Sequence, residues 1–296
     1  MPKTKAEEAL AEAERLWRAG EVQQAAEAFR RSRLFFHEAG DPEGEGQALS
    51  RLGELDLLLG HLIAARNAFV DARERFAAAG AQHGQAMALM RLGQIAQREG
   101  EFEQAGELLT SALERFRSCG NLAGEARAIR HLGTVEMVRG HEDGALDLYQ
   151  RARILSRDAG DGSGEANSLK ALAALHMRFG RNDKAHQAYD DALELFRASG
   201  DILGEAQALA ELGRLARSFG NTSSAAENLG QAARLFARSG HLLGEADALF
   251  ELARVQTSTE PSLAHRHYSH AATLFARARH DERSELCRKE AAVLAS

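Results

Sequence analysis

The chain has 296 residues, with 44% apolar and 27% charged side chains and a formal net charge of −6. This is the balance of a soluble globular protein, and it supplies no global basic field for nucleic acid. No run of about 18 apolar residues exists to cross a membrane. The start, MPKTKAEEALAEAERLW, lacks the apolar stretch of a secretion signal, and the two distant cysteines, Cys119 and Cys287, read as free thiols, so a reducing cytoplasm is the expected location.

Written in rows of forty, the chain places Gly at the end of each of the first six rows (Gly40, Gly80, Gly120, Gly160, Gly200, Gly240). It places Gly at the middle of each as well (Gly20, Gly60, Gly100, Gly140, Gly180, Gly220). This rhythm predicts helix C-termini that need positive φ, so each row reads as two helices joined by short turns. The first row, 1–40, keeps Leu10, Ala13, Leu16, Ala25 and Phe29 on helical spacing. In the rows 41–80, 81–120, 121–160, 161–200 and 201–240 the first helix is expected to open near Asp41, Asn121, Asp161 and Asp201, whose side chains can accept from orphan N–H groups. A Gly-Glu-Ala block follows, as in Gly124-Glu125-Ala126 and Gly204-Glu205-Ala206. Its acid suits the helix dipole, and its Gly is expected to let the helix pass close to a neighbour. The seventh row, 241–280, loses its middle Gly and is one residue short, so Pro261 is expected to open its second helix. Pro2 and Pro42 are expected to lie outside helices. The tail 281–296 reads as one more helix, with Leu286, Val293 and Leu294 expected to cover the last hairpin. The sum is one all-α domain over 1–296: seven helical hairpins and a C-terminal capping helix. Leu132 and Leu172 are expected in its interior.

This pattern resembles the tetratricopeptide repeat. In the fifth row Leu172-Ala173 stand for the family's Leu-Gly pair, Gly180 for its turn, and Ala185, Tyr189 and Ala192 for its second helix. The spacing of forty is similar to the long-helix subtype of the Pins and LGN adaptors and of many bacterial regulators. The likeness runs from Ala6 to about Ala278. It implies a right-handed α-solenoid whose first helices line a concave groove and bind segments of other proteins. The Lys, Asn and Arg set of the family's carboxylate clamp does not recur, since Gln94, Thr134 and Ala171 hold the Asn positions. The Asn ladder of the Pins group does not recur either.

Stepping i, i+3, i+4, i+7 beside the apolar stripe selects the groove side chains. The second row gives Leu57 and Leu58 after Gln47, Ser50, Arg51 and Glu54, and the third gives Met87, Met90, Arg91, Gln94 and Arg98. The fourth gives Arg127, Arg130, His131 and Thr134; the fifth gives Asn167, Lys170 and Arg178; the sixth gives Arg214 beside Glu211. The early groove is thus expected to be apolar and its middle basic, with Arg130 and Lys170 in one column of adjacent rows. Any single Arg here reads as a solvated face; a run of cations over three rows points to an acidic ligand with apolar anchors.

The function this implies is a non-enzymatic scaffold that needs no cofactor and takes a protein or peptide segment. Alternatives are a peptide-sensing regulator, self-association through the terminal hairpins, and a targeting subunit of an enzyme. For the last, His265, His267 and His270 are the only cluster that suggests a metal, and a polar helix surface is the plainer reading of it.

Overall fold

The computed structural model describes residues 2–295, and among them it contains fifteen α-helices and no strand. They group into two compact units, residues 1–155 and 156–296. The first holds α1 (Pro2–Arg18), α2 (Val22–Glu38), α3 (Pro42–Leu58), α4 (Leu62–Ala78), α5 (Gln82–Glu99), α6 (Phe102–Ser118) and α7 (Leu122–Arg139), together with most of α8 (Glu142–Asp158). The second holds α9 (Gly162–Arg178), α10 (Asn182–Ser199), α11 (Ile202–Ser218), α12 (Thr222–Arg238), α13 (Leu242–Gln256), α14 (Pro261–Arg277) and α15 (Asp281–Val293). Within each unit consecutive helices pack on one another, and first helices touch first helices: α3 meets α5, α5 meets α7, α9 meets α11 and α11 meets α13.

All twelve glycines of the forty-residue rhythm have positive φ. Asp41, Asn121, Asp161 and Asp201 each accept from the N–H three residues on, at 2.8–2.9 Å. His241 does the same for Gly244 through Nδ1 at 2.9 Å. All three prolines are the first residue of a helix, which corrects the expectation for Pro2 and Pro42. At that position the missing N–H costs nothing and the ring presets φ.

The glycine of the Gly-Glu-Ala block meets an aromatic ring. A Cβ on Gly44, Gly84, Gly124, Gly204 or Gly244 would lie under 3.0 Å from Phe36, Phe76, Phe116, Phe196 or Phe236, the last ring of the preceding helix. The joint between successive hairpins is therefore a ring laid on bare backbone. Ser156 replaces the ring before Gly164. A second set of small-to-large matches closes each hairpin internally, as Gly53 on Phe69 and Gly133 on Tyr149. These rings, with Phe29, Phe116, Phe196 and Phe275, are the largest fully buried side chains.

On α15 the inward residues are Ser284, Cys287 and Ala291, with Leu294 packed beside them. Leu286 is 44% exposed and Val293 70%, so neither covers the last hairpin as expected. The short seventh row explains this: one missing residue advances the helical phase, and Cys287 takes the place that Ala248 holds one row earlier. Burial pushes the Cys287 thiol up to about 11, which marks a packing residue rather than a reactive one.

Leu172 is 6% exposed, whereas Leu132 is half-buried against the first unit's core. Leu172→Ala should therefore cost about 2–5 kcal/mol, and Leu132→Ala should fall at or below the low end of that range. Urea denaturation followed by circular dichroism checks the order, and equal costs would contradict it.

Candidate groove site

In the first unit the polar side chains of the first helices form a ladder. Arg51 on α3 donates to Glu14 of α1 at 3.3 Å and to Glu54 of its own helix at 2.9 Å. Arg91 on α5 donates to Glu54 at 3.0 Å and to Gln94 at 3.1 Å. Gln94 meets the His131 ring of α7 at 2.8 Å. Each cross-helix step joins residues 37 apart, three short of the repeat, because neighbouring helices pack with that offset. Arg51 also lies over the Trp17 ring, 5.7 Å from its centroid.

The ladder revises the expected charge of the groove. Glu14 and Glu54 neutralise Arg51 and Arg91, so Arg91 is not part of an unopposed basic run. Beside these pairs lies a cavity of about 500 Å³. Gln47, Ser50, Arg51, Glu54, Met87 and Arg91 line it, over Leu10, Phe69 and Phe76. Of the expected apolar groove residues, Met87 alone lines this cavity. Met90 is only 1% exposed and belongs to the core. The same column is buried at Ala210 and half-buried at Arg130 and Lys170. Leu57 is half-buried against the core around Phe69 and Ile95. Leu58 is 66% exposed and continues into Leu59 and Ile63 at the α3–α4 turn, away from the cavity. Arg98 is exposed at the end of α5. Sequence reasoning missed Leu10 and Glu14, although both stand in first-row columns equivalent to Ser50 and Glu54.

The cations gather on α7. Arg127 is half-buried and its Nε donates to the Ala123 carbonyl at 3.3 Å. Arg130 approaches the His131 ring at 3.4 Å. Thr134 donates to the Arg130 carbonyl and accepts from the Tyr149 hydroxyl at 3.2 Å. Burial holds the His131 imidazole down at about 3, and Arg130, Arg91 and Arg127 reinforce the effect by repelling an added proton.

The tetratricopeptide repeat family model matches residues 84–158 and 125–198, overlapping over the same capped, ring-jointed hairpins. Residues 84–198 are tetratricopeptide repeats. A search of curated proteins finds no match to it. Among solved structures it is similar to the apo form of RapI, with a TM-score of 0.68 at 13% identity over 96% of this chain and 98% of that one. It is also similar to the Rap conjugation gene regulator of plasmid pLS20 in complex with the Phr* peptide, with a TM-score of 0.66 at 11% identity over 97% and 74%. The apo quorum sensor NprR from B. thuringiensis gives 0.61 at 12% identity over 98% and 87%. At these identities the likeness is one of fold.

In the second unit the first helices carry their own polar contacts. Lys170 on α9 donates to Gln207 of α11 at 2.5 Å and lies 5.7 Å from the centre of the Phe196 ring. Asn167 donates to the Ser163 carbonyl. Arg214 is held by Glu211 on the same helix; Glu251 of α13 forms an ion pair with Arg217 at 3.2 Å and accepts from Arg254 at 3.4 Å. Arg178 is exposed at the end of α9.

The histidines of α14 have protein partners. His265 Nδ1 lies 2.9 Å from the Ala291 carbonyl, and His267 Nδ1 lies 2.8 Å from Gln256 Oε1. His270 approaches Glu245 at 3.8 Å. Among the described residues no three His, Cys, Asp or Glu side chains gather as a metal site would need, and no helix is long and apolar enough to cross a membrane.

Proposed function

We propose that this chain is a non-enzymatic binding module that works in the cytoplasm as a scaffold or peptide-sensing regulator. Its first-helix face takes a segment of a partner protein or a free peptide. One observation carries the reading: in the first unit a cavity with an apolar floor lies beside a charge-compensated ladder that leads to the cations of α7. The cavity suits an uncharged anchor side chain, since every charge around it that belongs to the ladder already has a partner. The α7 arginines suit an acid further along the same segment. The peptide named in the pLS20 Rap complex supports a peptide as the ligand class, and the quorum-sensing role named for NprR supports the regulatory version.

A pull-down from native lysate tests this. The parent and the control Arg151→Glu, an exposed outer-face site paired with Asp147, should retain the same partner. Arg127→Glu with Arg130→Glu should lose it, and retention should fall as salt rises, because exposed ion pairs are screened within about 8 Å at physiological strength. Lys170→Glu is the matching change in the second unit; since Lys170 also covers Phe196, its melting temperature must be read alongside. Equal capture by all variants would place the partner on another face. Self-association is a second reading, favoured by the exposed Leu286 and Val293 on α15. Light scattering that stays monomeric as concentration rises would remove it.

A further inference from the structure

The cavity of the first unit has a charge balance of its own. Glu14, Glu43 and Glu54 line it, and so do Arg51 and Arg91. The ladder pairs Glu14 with Arg51 and Glu54 with both arginines, so two carboxylates meet two guanidiniums. Glu43 is the third carboxylate. It is exposed on the first turn of α3 and makes no ion pair among the described residues. Lys3 lies within its electrostatic reach, but the Lys3 ammonium pairs with Asp41 at 2.8 Å. His83, also on the lining, does not supply the missing cation. Asn121 gives its oxygen to the Gly124 N–H at 2.8 Å, so its NH₂ faces His83 Nδ1 at 3.0 Å, and only an uncharged ring accepts there. The cavity is left with one net negative charge above an apolar floor of Leu10, Phe69, Phe76 and Met87.

We propose that this cavity takes an apolar side chain whose neighbour in the partner segment is a lysine or arginine, and that Glu43 is the group that receives the cation. The inference rests on the binding reading above and names the residue pair that its anchor site reads. A space of about 500 Å³ matches a small-molecule pocket, so it has room for more than one side chain. The buried rings of Phe69 and Phe76 favour an apolar group at the floor. The rim favours a basic side chain over a chain-terminal ammonium. The methylenes of lysine or arginine can lie along the half-buried Leu10 and Met87 while the charged head stays in water beside the exposed carboxylate. An acid at the same place would meet Glu43 with like charge, and Arg51 and Arg91 are already held by the ladder.

The test uses the full chain labelled with ¹³C at the methionine methyls, with the Met87 signal assigned by its loss in Met87→Leu. Blocked dipeptide amides that join phenylalanine to lysine, glutamine or glutamate, in either order, are titrated at equal ionic strength. The Met87 signal should saturate with a lysine peptide at a Kd about threefold below that of its glutamine counterpart, as one exposed ion pair contributes. The glutamate peptides should bind most weakly. In Glu43→Gln the lysine and glutamine peptides should bind alike. In Glu7→Gln, an exposed acid that does not line the cavity, the preference for lysine should persist. Equal binding of lysine and glutamine peptides by the parent, or a lysine preference that survives Glu43→Gln, overturns the role of Glu43 and leaves the cavity as an apolar anchor site. Tighter binding of phenylalanine amide, with its free amine, than of the lysine peptides overturns the assignment to a side chain. No saturation by any of these probes up to the solubility limit overturns the inference together with the cavity's place in the binding reading.

Discussion

Phe116→Ala should lower the unfolding free energy by about 3–5 kcal/mol and Gly124→Ala by about 1–3 kcal/mol, yet the two together should cost clearly less than their sum. Phe116 is fully buried in the first unit's core, so its removal leaves a ring-sized void. Gly124 lies under that ring, and a methyl group there must displace it. With the ring gone the methyl enters the void, so the second change partly repairs the first. A coupling of about 1–2 kcal/mol in a double-mutant cycle is the expected signature. Gly106→Ala is the control: it is a glycine within α6 whose added carbon meets only Arg139 at 3.9 Å. It should stabilise the chain by about 0.5–1 kcal/mol, the ordinary gain of Ala over Gly in a helix. Additive costs for Phe116 and Gly124 would mean that the ring-on-backbone joint does not hold the hairpins together.

Acid should weaken the parent chain more steeply than His131→Gln. The folded imidazole titrates at about 3 and the unfolded one near its ordinary 6.5. The unfolded state therefore binds the extra proton, and stability falls as pH falls below 6.5, until the folded ring also protonates near 3. Between pH 6 and pH 4 the parent should lose about 2–3 kcal/mol more than the variant, at about 1.4 kcal/mol per pH unit where the difference is fully developed. Parallel acid titrations of the unfolding free energy measure this. Superimposable profiles would show that His131 can take a proton within the fold.

The sequence exposed what repeats along the chain and hid what connects one repeat to the next. Glycines at fixed intervals, Asp or Asn three residues before a glycine, and Phe at the end of second helices mark helix ends and joints by their backbone chemistry, which is local. Arg91 looked unopposed because its acid, Glu54, is 37 residues away and on another helix. Met90 shares a column with Arg130 and Lys170, yet it is buried where they are half-buried. Leu286 and Val293 fall in the columns of Arg127 and Thr134 once the missing residue of the seventh row is carried into the tail. No such signal existed for the contact between Gln94 and His131, which joins two helices across 37 residues.

Residues 41–80 present an acid to the row that follows and an arginine to the row before, through Glu54 and Arg51. A tandem duplication of this segment would set the second copy's Arg51 beside the first copy's Glu54, and the second Glu54 would still meet Arg91. The new Gly44 would receive the Phe76 ring that Gly84 receives now. Residues 121–160 lack this property, because a second copy would bring His131 against Thr134 and lose the amide that orients it. The array can therefore be lengthened at its second repeat with its charge pairs intact, while its fourth is a position where added copies break the chain of contacts.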